Sequence, residues 1–301
     1  MKQHTPDFIG LGYCGLDYLS LLPTIPQDDK VEIISSLVQG GGPAATATCA
    51  AAKLGAKTAF VGSVGSDPRG REIVEQFRLM KVDTSALLCR ETGESPAAFC
   101  WTEQATGKRS IAWTKGSISP LKPEEIDVSL IRSARLLHLD GHQTEAAIFA
   151  SQQARAAGVT VSLDAGTLVN GIDKLLELSD IIIASEKFAE RYTGLSQPEE
   201  SVKLFSGANC KFSAVTLGAR GCVGFDGTEL FKLPVFKVKV VDTTGAGDVF
   251  HGAFAYKYMN GGTWRECARF ASAVSALKCT ALGGRTALPD AATVENFINR
   301  V

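Results

Sequence analysis

The sequence predicts an α/β fold: a mostly parallel central sheet flanked by helices, with a small β-sheet set apart from it. Three observations carry that reading. Beyond Leu121, strand-like and helical stretches alternate: helix 123–133, strand 136–140, helix 144–157, strands 159–164 and 181–184, an order that implies parallel βαβ units. Residues 97–103 and 108–113, joined by Gln104-Ala105-Thr106-Gly107, break that alternation as a β-hairpin. Finally, apolar alternation over 236–241 reads as a strand and gives way at Asp248 to helical periodicity, so a strand becomes a helix across Thr244-Gly245-Ala246-Gly247.

That last turn has chemical content. Gly245 and Gly247 allow a tight turn and leave no side chain over its amides, and the following helix adds the positive end of its dipole, which together make an anion site. Asp248 falls in the first helical turn. It is either a helix cap or a carboxylate able to accept a proton from a hydroxyl nucleophile, and the ensemble suits phosphoryl transfer.

A chain of 301 residues, 45% hydrophobic, can bury a substantial core as one domain. With 31 basic against 32 acidic residues and no basic run, nothing attracts nucleic acid or an anionic membrane. The eight scattered cysteines include no C-x-x-C pair and read as reduced core residues of a cytoplasmic protein. No apolar run is long enough to span a bilayer, and residues 1–7 lead straight into a strand, so neither export nor membrane insertion is expected.

From the N-terminus, residues 8–15 form an apolar strand followed by Gly10-x-Gly12-x-x-Gly15, nominally a dinucleotide fingerprint. Pro23 and Pro26 leave no room for the helix a fingerprint opens, so NAD binding is not expected. Residues 30–38 read as a strand entering Gly40-Gly41-Gly42-Pro43, and Pro43 suits the first position of a helix that stops at Gly55. A strand over 58–61 and a helix opened by Asp67-Pro68 follow. Asp140 and Asp164 close their strands, where parallel sheets bind ligands, although either could cap a helix. Residues 214–222 read as strand, glycine-bracketed turn and strand. Helices from 263 to about 279 and from about 290 flank Gly283-Gly284-Arg285.

Asp242-Thr243-Thr244-Gly245-Ala246-Gly247-Asp248 matches without a gap the D-T-x-G-A-G-D signature of the ribokinase-like (PfkB-type) sugar kinases, which the chain resembles from Asp17 to Gly284. The resemblance implies a ribokinase-like fold, a single domain over 1–301, with a small β-sheet lid from segments at about 16–40 and 95–118. It implies an ATP-dependent sugar kinase in which Asp248 is the base and Gly245, Ala246 and Gly247 form the anion hole. Asp242 and Thr244 would adjoin a monovalent-cation (K+) site. Asp17, Gly41, Gly42, Asp140 and Lys30 would contact the sugar, with Thr46 standing where the family has Asn. Thr216, Gly218, Gly221, Gly245, Gly247 and Ser185 would contact the nucleotide. The family's N-x-x-E motif is altered to Ser185 and Phe188, leaving Glu186 or Glu190 to organise Mg2+ through water. A homodimer through the lid is expected, with no nucleic-acid or membrane partner.

Within that family, residues 40–47, 242–253, 269–272 and 278–280 look most like the sulfofructose-kinase branch, although Gly141-His142 stand where an arginine is expected. A nucleoside kinase of the same family and a non-catalytic sugar- or nucleotide-binding regulator are the alternatives. Lys30, Lys108, Arg109 and Lys115 all fall in lid segments and could read an anionic sugar.

Overall fold

The computed structural model describes residues 5–207 and 209–300; residues 1–4, whose run into the first strand was expected from the sequence, lie outside them. In chain order the elements are β1 (Phe8–Leu11), β2 (Gly15–Leu22), β3 (Ser35–Gly41), α1 (Pro43–Leu54), β4 (Thr58–Gly65), α2 (Pro68–Leu79), β5 (Leu87–Arg90), β6 (Ala97–Glu103) and β7 (Arg109–Thr114). Then come α3 (Val128–Ser133), β8 (Leu136–Leu139), α4 (Thr144–Ala156), β9 (Thr160–Ala165), α5 (Ile172–Leu178), β10 (Ile181–Ser185), α6 (Glu186–Thr193) and α7 (Pro198–Phe205). β11 (Phe212–Thr216), β12 (Cys222–Phe225), β13 (Leu230–Leu233), α8 (Ala246–Met259), α9 (Trp264–Lys278) and α10 (Ala291–Ile298) complete the chain.

Nine strands form the main sheet in the order β13-β12-β11-β10-β9-β8-β1-β4-β5, all running the same way except β12, which pairs antiparallel with both β11 and β13. The pleat sends alternate residues to two cores. Phe8 and Leu136 join α1, α8 and α9 on one face, while Ile9 and Leu137 join α4, α6 and α7 on the other. Burial on both faces is why these strands read as continuous apolar runs.

The small sheet has the order β3-β2-β6-β7. Its register puts Gln39, Asp17, Ala98 and Trp113 in one row and Val38, Tyr18, Phe99 and Ala112 in the next, on opposite faces. Arg109, paired with Thr102, shares the face of Asp17.

Several expectations fail for local reasons. Residues 236–241 form no strand: the amides of Val241 and Asp242 both donate to the Cys279 carbonyl, and Phe236 packs on Phe297 at 5.3 Å, so helices rather than a ladder absorb the apolar alternation. The segment from 30 to 34 is not strand either. Ile33 and Ile34 are exposed, and β3 instead runs on through Gly41. Asp127 caps α3 through the amides of Ser129 and Leu130 and splits the helix expected over 123–133. All eight cysteines are free, and Cys89 is exposed rather than in the core.

Helices α1 and α8 meet backbone to backbone. A Cβ on Gly252 would lie 2.1 Å from the Ala47 carbonyl oxygen, so only glycine lets the two backbones approach this closely. Gly252→Ala is therefore expected to destabilise the fold by about 2 kcal/mol or more, because backbone cannot yield as a side chain can. Chemical denaturation measures it; a midpoint equal to the parent's would contradict the packing.

Candidate active site

Asp242 fixes the turn that precedes α8. Its Oδ1 accepts from the Thr244 amide at 2.9 Å and the Thr244 hydroxyl at 2.8 Å, and its Oδ2 accepts from the Gly283 amide at 2.8 Å. Gly245, at φ 74°, then serves as N-cap without any capping side chain. The first amides of a helix have no intrahelical partner. Here the Ala246 amide donates to the Thr243 carbonyl at 3.2 Å, leaving the amides of Gly247 and Asp248 open. Of the three amides expected to form an anion hole, only that of Ala246 is engaged within the turn. No atom lies within 4 Å of a Cβ built on Gly247, so the approach to these amides is clear.

Asp248 is third in α8 and does not cap it. Burial raises its carboxyl to about 7; Asp164 adds to the rise, His251 opposes it, and Asp17 and Asp140 contribute further. Asp17 extends from β2 with burial raising it to about 6 against the opposing Arg285 guanidinium. Its carboxylate lies over Gly41, where a Cβ would fall 2.1 Å from Oδ2, and Gly42 adopts φ 103° against the Tyr13 carbonyl. Thr46, in α1, faces the anion-binding turn: its Cγ2 would be 3.5 Å from a Cβ on Gly245.

Two further carboxylates have structural work. Asp140, expected to contact the sugar, accepts at Oδ2 from the amides of Tyr13 and Ala44 and at Oδ1 from that of His142, clamping three segments together at the end of β8. Asp164 caps no helix. It pairs with His251 Nε2 at 3.2 Å, and the His251 ring lies tilted 5.4 Å from that of His138, a buried histidine whose pKa burial depresses to about 3.

Sequence reasoning missed Arg285 and the histidines. Arg285 is buried, donating to Thr46 Oγ1 at 3.3 Å and the Gly41 carbonyl at 3.2 Å, while its amide donates to Gln39 at 2.9 Å. The only signal was a cation beside two glycines.

Ser185 and Thr216 are register partners at the carboxyl ends of β10 and β11, and Gly218 and Gly221 bracket the turn before β12. Ser185 caps α6 through the Phe188 amide. Glu186 is paired with Arg220, and Glu190 lines a small cavity with it. Lys30 is exposed before β3 and reaches no site residue among the described residues. Arg109 does reach the site, donating to Thr243 Oγ1 at 3.3 Å. Beyond Asp140 opens a cavity of about 860 Å3 lined by Tyr13, Lys115, Ser117, His142, Glu145 and Asn170 among others.

Residues 17–291 match the pfkB family of carbohydrate kinases. The chain is 28% identical over 294 residues to the ATP-dependent ribose-1-phosphate kinase of Halopiger xanaduensis, covering 97% of each chain. It is 30% identical over 285 residues to fructokinase-2 of Zea mays, covering 86% of this chain and 84% of that one. Among solved structures it resembles Arabidopsis thaliana ribokinase complexed with ribose and ATP, with a TM-score of 0.82 and 26% identity over 98% of this chain and 99% of that one. Thermotoga maritima ribokinase gives a TM-score of 0.84 and 26% identity over 98% and 99%.

The raised pKa of Asp248 has a consequence for stability. The folded state favours its protonated form, so its contribution is intact below the usual carboxylate value of about 4 and is lost as pH rises through about 7. Asp248→Asn removes that loss. Its melting temperature is expected to exceed the parent's increasingly from pH 5 to pH 8; parallel profiles in differential scanning fluorimetry would refute the assignment.

Proposed function

The chain belongs to the pfkB family of carbohydrate kinases, and from that premise we propose that Asp248 is its general base and that its acceptor is a sugar bearing a second, anionic group. The observation that carries the first part is the placement of a carboxylate raised to about 7 in the same helical turn as two open amides. An ATP-dependent sugar kinase needs both within one bond-making distance. The sugar hydroxyl attacks the γ-phosphorus of MgATP; its proton passes to Asp248, a new O–P bond forms, and the bond to the β-phosphate oxygen breaks to release MgADP. The amides of Gly247 and Asp248, aided by the α8 dipole and by Arg109 from the small sheet, stabilise charge on the transferring group. Asp17, with the backbone at Gly41 and Gly42, holds sugar hydroxyls. Thr216, Gly218 and Gly221 face the nucleotide. Mg2+ arrives with ATP and is held chiefly by phosphates and water, consistent with Glu186 being engaged by Arg220.

The second part is supported by the 860 Å3 cavity, which is larger than a plain pentose needs and carries Lys115 and His142 near Tyr13. A relative acting on ribose-1-phosphate agrees with an anionic acceptor. Of the four cations considered from sequence, Lys115 is then the sugar reader and Arg109 belongs to the phosphoryl side. A non-catalytic regulator would have no use for an ionisable Asp248. Eight free thiols suit a cytoplasmic location.

Asp248→Asn is expected to lower kcat at least about a hundredfold while leaving ATP binding intact. ATP consumption measured against neutral, phosphorylated and sulfonated sugars and nucleosides identifies the acceptor. On the best anionic sugar, Lys115→Met should cut kcat/KM relative to its neutral analogue by about tenfold. A shift below about threefold would return the acceptor to a neutral sugar.

The face of the small sheet opposite Asp17 exposes Val38, Phe99 and Trp101, an apolar row suited to the same row of a second copy. Trp101→Glu should convert a dimer to monomers in analytical ultracentrifugation; a monomeric parent protein would dismiss the interface.

A further inference from the structure

The monovalent-cation site expected at Asp242 and Thr244 does not fit the donors found there. Such an ion needs several oxygens free to face it. Both Asp242 carboxylate oxygens accept from Thr244 and Gly283, and the Cys279 carbonyl accepts from Val241 and Asp242. The Asp242 carbonyl is taken too: Lys278 Nζ donates to it at 2.8 Å. Among the described residues Lys278 is the one lysine that is fully buried, at 0% exposure, and no carboxylate forms a salt bridge with it.

A buried ammonium is costly unless it is hydrogen-bonded or paired, and here the Asp242 carbonyl supplies the bond. Lys278 ends α9, where a cation also favours the negative end of its own helix. From there its ammonium lies under the turn that carries the open amides, three residues before Gly245. Ser275, one turn earlier, ties the same turn by donating to the Ala246 carbonyl at 2.8 Å. Burial lowers the Lys278 pKa, opposed by the Asp242 carboxylate, Cys279 and Asp248, while Arg109 adds to the fall. We propose that Lys278 is a tethered monovalent cation: it positions the anion-binding turn and adds positive potential beneath it, making this kinase independent of K+.

The inference rests on the kinase reading, but thermal stability can test it without turnover. Parent protein, Lys278→Ala and Lys278→Gln are compared in KCl and in choline chloride at equal ionic strength. The parent is expected to show the same melting temperature in both salts and turnover equal within about twofold. Lys278→Ala should lose about tenfold in turnover in choline, and K+ should raise its melting temperature and restore at least about threefold of its turnover. Lys278→Gln, which keeps a donor without the charge, should lose activity similarly. K+ stimulation of the parent by about fivefold or more overturns the proposal. So does a folded Lys278→Ala whose stability ignores K+, or a Lys278→Gln fully active in choline. A K+-specific stabilisation confined to Lys278→Ala, in a preparation that phosphorylates no sugar, supports the cation role and refutes only the kinase reading.

Discussion

The geometry of the proposed reaction end depends on the three hydrogen bonds that the Asp242 carboxylate accepts. An anion site made of amides works only if those amides are held in place before the anion arrives, since reorganisation during the reaction would forfeit the stabilisation. Gly245 and Gly247 make the amides accessible, but glycine also gives the turn freedom to collapse. Asp242 removes that freedom by binding Thr244 on one side and Gly283 on the other. The Gly283 contact reaches across to the segment that contains Arg285, and Arg285 in turn holds Gly41 and Thr46. One carboxylate therefore links the phosphoryl side of the proposed site to its sugar side.

Asp140, Asp164 and Asp248 are distinguished by what surrounds them. Asp140 is consumed by three amides and acts as a fastener. Asp164 is held ionised, well below the usual range, by His251. That fixed negative charge is one cause of the rise at Asp248. The rise brings a carboxylate near the pH at which a base is both available and strong enough to take a proton. His138 remains neutral because burial and its histidine neighbour both oppose a charge.

The parallel βαβ half, the β6–β7 hairpin and the glycine turn could be read from sequence because each has a local signature: a period, a turn residue or a contiguous motif. Asp17 and Asp248 were singled out through the family resemblance, Asp17 by its place after the first strand and Asp248 by the motif that surrounds it. What was not legible is pairwise. Nothing in the alternation of residues 236–241 says that helices and not a strand receive it. The engagement of Asp140 by Tyr13 and Ala44 joins segments 127 and 96 residues apart. Likewise, Lys278 looks in sequence like an ordinary basic residue at a helix end, and only its burial and the Asp242 carbonyl reveal its position.

The small sheet extends this logic to the other side of the proposed site. Its inner face carries Asp17 from β2 and Arg109 from β7, a group of each sign on one rigid surface, with Trp113 two-thirds exposed on the edge strand beside them. Gln39 of β3 meets the amide of Arg285 and the hydroxyl of Thr286, so the sheet is anchored at β3 while β7 is exposed throughout. A sheet held along one edge and free along the other can move chiefly at the free edge. That is the edge whose Arg109 touches Thr243.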